Sequence, residues 1–360
     1  MSRISRFLFV VLAPLACFLI GGCQQYYNVM SPRQTPLGTG DAKRPNTSIP
    51  LKAFGENYQE MIQHSFSESG IDFDPFISVD GKTIIFASTY ISPISDIFMK
   101  ASGGRTVEQI THTPNANEKQ PQLSPDGKSI IYASDREGKF NIYEISAVSR
   151  GSREREVIRN GRINEMPSYS PDGNFLVYST WLPNKSDWHI AITDRRTQQE
   201  RIYGPGVFPK FSPDGNQVLF QRARIHSPQW YSIWVMDLTN ESVSEIISND
   251  KWAAITPNWS TDGKRIVFAS VNKSVQSLGA HEGDDIYTIW ADGTHLVRLT
   301  NDDAPDWNPV WAKSGRIFFL SKRNGFQNVW SFIPKNIDPF HPDSVEMGGA
   351  KGALEDLSRL

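Results

Sequence analysis

The sequence predicts an all-β protein, a six-bladed β-propeller of four-stranded blades that is closed by an N-terminal strand completing the last blade. Two observations predict this fold. One phrase, made of a proline, a short apolar stretch, a turn ending in glycine and a second apolar run, occurs six times. Its lead prolines are separated by 46, 46, 42, 48 and 52 residues, a period typical of propeller blades and other repeat arrays.

Each repeat begins with a short strand and a tight turn. In the second copy, Pro121-Gln-Leu-Ser-Pro-Asp-Gly127 predicts a strand followed by a type I turn, because proline presets φ and glycine accepts positive φ. The turn aspartate is expected to bond local backbone groups, so its repetition does not predict a metal site. The six copies start at Pro75, Pro121, Pro167, Pro209, Pro257 and Pro309.

Three further strands follow the turn in each repeat. In the second repeat they are predicted at Lys128 to Ser134, at Asn141 to Ile145 and at Arg155 to Ile158. The apolar runs are nearly continuous, as expected for strands that are covered on both faces by neighbouring blades. No helical period competes with this pattern.

The sixth repeat has no fourth strand of its own, because the chain becomes rich in Pro and Gly from Pro334 to Leu360. A segment of mixed apolar and polar residues, Gln59 to His64, precedes the first repeat. It occupies the position in the sequence at which the fourth strand of a preceding blade would lie. We therefore expect this early segment to become the outer strand of blade six. Closure of this kind pairs the otherwise open edges of the ring.

The N-terminus resembles the signal of bacterial lipoproteins. Arg3 and Arg6 precede an apolar run that ends in Leu19-Ile-Gly-Gly-Cys23, and the run is too short for an ordinary membrane span. The resemblance implies removal of residues 1–22 and lipid on Cys23; an uncleaved anchor or a plain secretory signal is the alternative. Because Gln24 follows the cysteine in place of Asp, the resemblance also implies attachment to the outer membrane, facing the periplasm.

These patterns divide the chain into four parts. A signal peptide at 1–22 precedes a polar segment at 23–50, predicted to be a flexible tether. The propeller is expected at 51–333, as a monomeric domain, and a flexible tail at 334–360. The formal net charge of -2 gives no overall attraction to nucleic acid, and the 39% hydrophobic content suffices for a large core.

The repeats resemble those of TolB-type, WD40-like six-bladed propellers. The resemblance lies in Ser124-Pro-Asp-Gly127, in the following Ile130-Ile-Tyr-Ala-Ser134 and in the third strand Asn141-Ile-Tyr143. It implies a protein-interaction scaffold in the cell envelope, with a peptidoglycan-associated lipoprotein as one partner. The separate N-terminal α/β domain of TolB has no counterpart, since residues 24–58 are too short and irregular to form one.

Similar repeats occur in the propellers of prolyl-oligopeptidase-type peptidases and in oligogalacturonate lyases. The peptidases need a hydrolase domain that the C-terminal residues do not supply, and the lyases have a seventh blade and a His set not evident here. No nucleophile elbow, zinc helix or phosphate loop occurs, so no catalytic residue, metal ligand or cofactor is predicted. A carbohydrate- or small-molecule-binding protein or lyase that uses the channel mouth is the rival function.

Two groups of residues are candidate binding sites. The third residue before each lead proline is expected at the channel mouth, where the polar members Asp72, Glu118, Asn164 and Asp306 contrast with the small Gly206 and Ala254. The connections between second and third strands are predicted to be long loops at 180–188, 222–231 and 271–285. Their candidate binding residues are Trp181, Arg222, Arg224, His226, Trp230 and His281.

Overall fold

The computed structural model describes residues 57–149, 151–224, 227–272, 284–335 and 337. These residues form 24 β-strands in six antiparallel sheets of four strands, which are the six blades of a propeller. The predicted fold class is therefore confirmed. In the described part of the chain, no helix is long and apolar enough to span a membrane.

The described chain starts with β1 (Tyr58–Gln63), which joins the last blade. Blade one consists of β2 (Asp72–Ile77), β3 (Thr83–Ser88), β4 (Asp96–Ala101) and β5 (Val107–Gln109), and blade two of β6 (Glu118–Leu123), β7 (Ser129–Ser134), β8 (Asn141–Ser146) and β9 (Arg155–Glu156). Blade three consists of β10 (Asn164–Tyr169), β11 (Phe175–Leu182), β12 (Asp187–Asp194) and β13 (Glu200–Pro205), and blade four of β14 (Val207–Phe211), β15 (Gln217–Arg224), β16 (Ser227–Asp237) and β17 (Val243–Ile247). Blade five consists of β18 (Trp252–Trp259), β19 (Arg265–Asn272), β20 (Ile286–Trp290) and β21 (Val297–Arg298), and blade six of β22 (Asp306–Trp311), β23 (Ile317–Ser321), β24 (Asn328–Pro334) and β1.

The tight turn between the first two strands is held by its own serine and aspartate. In blade two the Ser124 hydroxyl donates to Asp126 Oδ1 at 2.6 Å, and the Lys128 amide donates to the same oxygen at 3.1 Å. The hydroxyl bond from Ser124 lowers the pKa of Asp126, and Gly127 adopts a φ of 73°. The same pair recurs as Ser78–Asp80, Ser170–Asp172, Ser212–Asp214 and Ser260–Asp262. The local role predicted for the turn aspartates is therefore confirmed.

The hydrophobic core continues from blade to blade. One cluster joins Trp307 and Phe318 of blade six, Phe86 and Phe98 of blade one, and Tyr132 of blade two. Phe86 and Phe98 stack with their ring centroids 6.0 Å apart. Since each blade buries its faces against its neighbours, removal of one contact in the ring exposes apolar surface on two blades.

The ring is closed by the pairing of β1 with β24, as the sequence predicts. Tyr58 lies opposite Pro334, and Gln63 lies opposite Trp330. Met61 is 1% exposed and belongs to the same cluster as Trp330. The Lys335 amide donates to the carbonyl of Asn57 at 2.7 Å, so the pairing extends one residue beyond each strand.

We predict that truncation of Met61 to Ala destabilises the whole propeller. The variant loses a buried side chain in the closing strand, which costs about 2–5 kcal/mol for a core Met→Ala change. Thermal melting followed by circular dichroism measures the effect. Gln59→Ala, a change at a half-buried position of the same strand, is the matched control. Deletion of residues 59–64 should have a still larger effect, and an unchanged Tm in that deletion would refute this role of β1.

Candidate functional site

The first strands of the six blades surround a narrow central channel. Its cavity has a volume of about 60 Å³ and is lined by five of the six lead prolines and by residues beside the lead prolines. Asp74, Lys210 and Asn308 are among its polar lining residues, and Met166 and Phe208 are among the apolar ones. The lining therefore differs in chemistry from blade to blade, although every blade contributes the same strand.

Each first strand contains a β-bulge directly before its lead proline. The pairing register with the second strand shifts there in all six blades, for example between Phe73 and Phe76 in blade one. The residue before the proline has positive φ, which is uncommon for residues other than glycine. These residues are Asp74 (49°), Gln120 (56°), Met166 (58°), Phe208 (54°), Thr256 (48°) and Asn308 (47°). The bulge adds one residue to the strand and turns this residue's side chain toward the channel.

Hydrogen bonds link several of these bulges around the channel. The Gln120 amide donates to Asp74 Oδ2 at 3.2 Å, and the Met166 amide donates to Gln120 Oε1 at 2.8 Å. The Phe208 amide contacts Met166 Sδ at 3.3 Å, and Asn308 Nδ2 donates to Asp74 Oδ1 at 3.1 Å. A bulge leaves an amide outside the strand ladder, so a side chain from the neighbouring blade satisfies it. We call Asp74, Gln120, Met166, Phe208, Thr256 and Asn308 the channel belt.

The channel holds charges of both signs. Lys210, from blade four, is half-buried, and channel residues of the other blades surround its side chain. Desolvation there lowers the pKa of Lys210 to about 8, and attraction to the Asp74 carboxylate opposes this shift. The repeat pattern does not predict Asp74 and Lys210 as a pair, because they lie in different repeats and at different positions relative to the lead proline.

The four polar residues expected at the channel mouth are in fact buried, and this placement corrects the prediction. Asp72 is 1% exposed, while Glu118, Asn164 and Asp306 are fully buried at 0%. They begin the first strands of their blades but do not belong to the lining of the channel cavity. Gly206 and Ala254, the small members of the set, are buried as well. The residues that do face the channel stand two positions later.

Each buried polar residue of this set has partners within the protein. Arg323 Nη2 donates to both carboxylate oxygens of Asp306 at 3.0 Å, and Arg136 Nη2 donates to Glu118 Oε1 at 2.6 Å. Asp72 accepts from the Ser88 hydroxyl at 2.7 Å and the Ser67 hydroxyl at 2.9 Å. Asn164 Nδ2 donates to Asn141 Oδ1 at 2.9 Å. Buried polar groups need such partners, so these contacts hold the ends of the first strands in place.

Two of the three predicted long loops are mostly strand. The segment 180–188 continues β11 to Leu182 and starts β12 at Asp187, so Trp181 and Trp188 lie opposite each other. Their ring centroids are 5.7 Å apart in an edge arrangement, and both side chains are half-buried. The segment 222–231 likewise belongs largely to β15 and β16. Aromatic cross-strand pairs stabilise such extended hairpins. The repeat pattern does not predict this extension of the strands.

The structure describes only some of the other residues predicted in these loops. Arg222 lies in β15, and its guanidinium is 5.4 Å from the ring centre of Trp234. Arg224 and Trp230 lie in β15 and β16, but their side chains are outside the described residues. His226, His281 and Cys23 also lie outside the described residues, as does 273–283 of the third predicted loop. Where the structure describes the chain, no group of three or more His, Cys, Asp or Glu residues could hold a metal ion.

We predict that Arg323→Ala destabilises the protein strongly. The change leaves Asp306 buried without its cation, and removal of one partner of a buried pair costs about 3–5 kcal/mol. Burial raises the pKa of Asp306 to about 7 even though Arg323 lowers it. Loss of the arginine raises that pKa further.

The free energy of unfolding, measured by urea denaturation at several pH values, checks this prediction. An ionised carboxylate with a raised folded pKa destabilises the folded state, so the deficit of Arg323→Ala should be largest well above pH 7 and should shrink as the pH falls toward 7, where Asp306 becomes protonated. Arg196→Ala, at an exposed arginine, is the control. A deficit that does not change with pH would contradict the assigned burial of Asp306.

The comparisons with known proteins agree with this fold. Residues 46–208 match the family model of the TolB beta propeller domain. A protein of Agrobacterium tumefaciens described as a TolB is similar in structure with a TM-score of 0.53 and 18% identity, over 74% of this chain and 91% of that chain. An oligogalacturonate lyase of Vibrio parahaemolyticus has a TM-score of 0.52 and 12% identity, over 76% of this chain and 93% of that chain. An oligogalacturonate lyase in complex with manganese has a TM-score of 0.51 and 12% identity, over 77% of this chain and 93% of that chain. At these identities the likeness shows the fold alone.

Proposed function

We propose that this TolB-type six-bladed β-propeller is a lipid-anchored protein-interaction scaffold on the periplasmic side of the bacterial cell envelope. In this proposal lipid on Cys23 attaches it to the outer membrane, and residues 24–50 act as the tether. The propeller binds envelope proteins, of which a peptidoglycan-associated lipoprotein is the first candidate. The sequence of the signal and the similarity of the repeats support the location and the partner class.

The observation that most supports a scaffold is the set of extended hairpins on neighbouring blades. In blade three β11 and β12 have 8 residues each, and in blade four β15 and β16 have 8 and 11. The corresponding strands of blades one and two have 6. The longer strands extend the hairpins of blades three and four on a closed ring, which is a rigid base for a contact surface.

The side chains on these hairpins suit protein binding. Trp181 and Trp188 are half-buried, so each keeps some surface for a partner, and Arg222 is ordered against Trp234. Trp and Arg are enriched among the residues that dominate binding energy at protein interfaces. Rings that are already held by neighbours lose little conformational freedom on binding, which favours affinity.

The channel supports the rival function less well. Its cavity of about 60 Å³ is well below the roughly 300 Å³ at which ordinary small-molecule sites begin. The channel belt also satisfies several of its polar groups internally. The proposal therefore assigns the contact surface to the hairpins of blades three and four.

We predict that the double variant Trp181→Ala, Trp188→Ala loses its protein partner while remaining folded. Loss of central aromatic contacts costs about 2 kcal/mol or more in binding, which is a ~30-fold weakening. Affinity capture from detergent-solubilised envelopes, followed by titration of the captured protein, measures this effect. Phe175→Ala, at an exposed position near the other end of β11, is the matched control. Capture of the same protein set by the double variant would refute the assignment, as would a bound sugar without any protein.

We predict that Cys23→Ser releases the protein from the membrane. Without the thiol no lipid can be attached, and the propeller itself should stay folded. Membrane fractionation and incorporation of labelled palmitate measure the outcome. Cys17→Ser, within the proposed signal, is the matched control and should leave both unchanged. Retention of Cys23→Ser in the membrane fraction with label would contradict the anchor.

A further inference from the structure

A second cavity lies where the ring closes, between blade one and the segment that follows β1. Its volume is about 250 Å³, roughly four times that of the channel. One wall consists of strands β3, β4 and β5, and the other of residues that connect β1 to β2. The lining residues are His64, Ser65, Phe66, Ser67, Asp72, Phe86, Ser88, Tyr90, Ile91, Phe98, Lys100, Arg105 and Val107.

Exposed apolar side chains surround this cavity. Phe66 is 59% exposed, Tyr90 is 56%, Ile91 is 60% and Val107 is 45%. All four line the cavity, and the buried Phe86 and Phe98 line it as well. Clustered apolar exposure of this kind typically marks a binding surface, because burial of each side chain by a ligand is favourable.

A buried cation lies in the same cavity. Lys100 is 6% exposed, and its ammonium group donates to the carbonyl of His64. An ammonium group has three N–H donors, and among the described residues this carbonyl is the acceptor it contacts. Desolvation lowers the pKa of Lys100, which reflects the cost of holding a cation where water is largely excluded. Attraction to the Asp72 carboxylate offsets part of that cost, and a further anionic group that accepts from the ammonium would offset more of it.

The titratable side chains that line the cavity are two cations, one carboxylate, one histidine and one tyrosine. Asp72 is the carboxylate that lines it, and its oxygens accept from Ser67 and Ser88. His64 is buried, and burial lowers its pKa to about 4, so it is neutral at pH 7. Lys100 and Arg105 are the cationic residues of the lining, and Lys100 is the one that is buried.

We propose that this cavity is a binding site for an apolar carboxylate, a carboxylate group attached to an aromatic or branched aliphatic body. The carboxylate accepts from Lys100, and the body lies against Phe66, Tyr90 and Val107. A volume of about 250 Å³ accommodates a group of the size of one phenylalanine. The ligand is either a small free acid or the C-terminal residue of a peptide, since both present the same chemistry. This inference does not depend on the scaffold function proposed above.

Binding at this position should stabilise the ring. The two walls belong to blade one and to the segment that follows the closing strand, so a ligand that contacts both walls binds only the closed form. Such a ligand stabilises the folded state by mass action, and the Tm rises with ligand concentration.

The test uses 3-phenylpropionate and its neutral amide with the full propeller, by isothermal titration calorimetry and thermal shift. We expect saturable binding of the acid and at least tenfold weaker binding of the amide. Lys100→Met should abolish the difference between the two ligands, since methionine fills the space of the lysine stem without its charge. Lys82→Met, at an exposed lysine of the same blade, is the matched control and should bind as the wild type does.

Tyr90→Ala tests the apolar contact separately. The residue is largely exposed, so the variant should fold even if Lys100→Met does not, and we expect at least fivefold weaker binding of the acid. Equal binding of acid and amide would overturn the proposal. So would an affinity that Tyr90→Ala leaves unchanged, or the absence of saturable binding by either form.

The tripeptide Ala-Ala-Phe and its C-terminal amide distinguish the two sources. Tighter binding of the free tripeptide than of 3-phenylpropionate supports recognition of a peptide end. Binding of 3-phenylpropionate without binding of the tripeptide supports a small free acid. Binding of the amidated tripeptide as tight as that of the free one overturns the role of the carboxylate.

Discussion

The pairing of β1 with β24 is the contact on which the rest of this molecule depends. In a propeller every blade buries its faces against two neighbours, so an open ring would leave an exposed face at blade six and another at blade one. β1 completes blade six with Tyr58 and Met61 in the core, and the residues that follow it reach blade one at His64. Residues more than 200 positions apart in the chain therefore stabilise the same interface, and the cavity of about 250 Å³ exists because the ring closes there.

The structure separates what repeats from what varies. The bulge before the proline recurs in all six blades, the Ser and Asp turn contacts recur in five, and a buried polar residue at the start of the first strand recurs in four. The side chains of the channel belt, the lengths of the hairpins and the surroundings of Lys100 do not recur. Repetition builds the rigid frame, and the departures from it create the distinct surfaces, namely the long hairpins of blades three and four and the cavity at the closure.

The two surfaces differ in what they can recognise. The hairpins offer half-buried tryptophans on an extended edge, which suits a broad protein contact. The cavity at the ring closure is small and partly open to solvent, and it combines a buried cation with exposed apolar side chains. Because the cavity lies between blade one and the segment that follows the closing strand, its occupancy is coupled to the stability of the ring. The hairpins, in contrast, extend from blades that are complete in themselves.

Local sequence was sufficient to predict the six blades, the turn aspartates and the closing strand. Each of these depends on spacing, on the chemistry of a short turn or on a missing strand, all of which are visible in the linear sequence. Tertiary packing decided the location of the functional candidates. The bulge at Asp74 and its five equivalents adds a residue to each first strand, so counting back from the proline led to the buried Asp72 and Asp306, not to the residues that face the channel. Lys100 donates to His64 and shares a cavity with Phe66 only because the ring is closed. The burial of Lys100 and the shape of this cavity therefore depend on the tertiary structure.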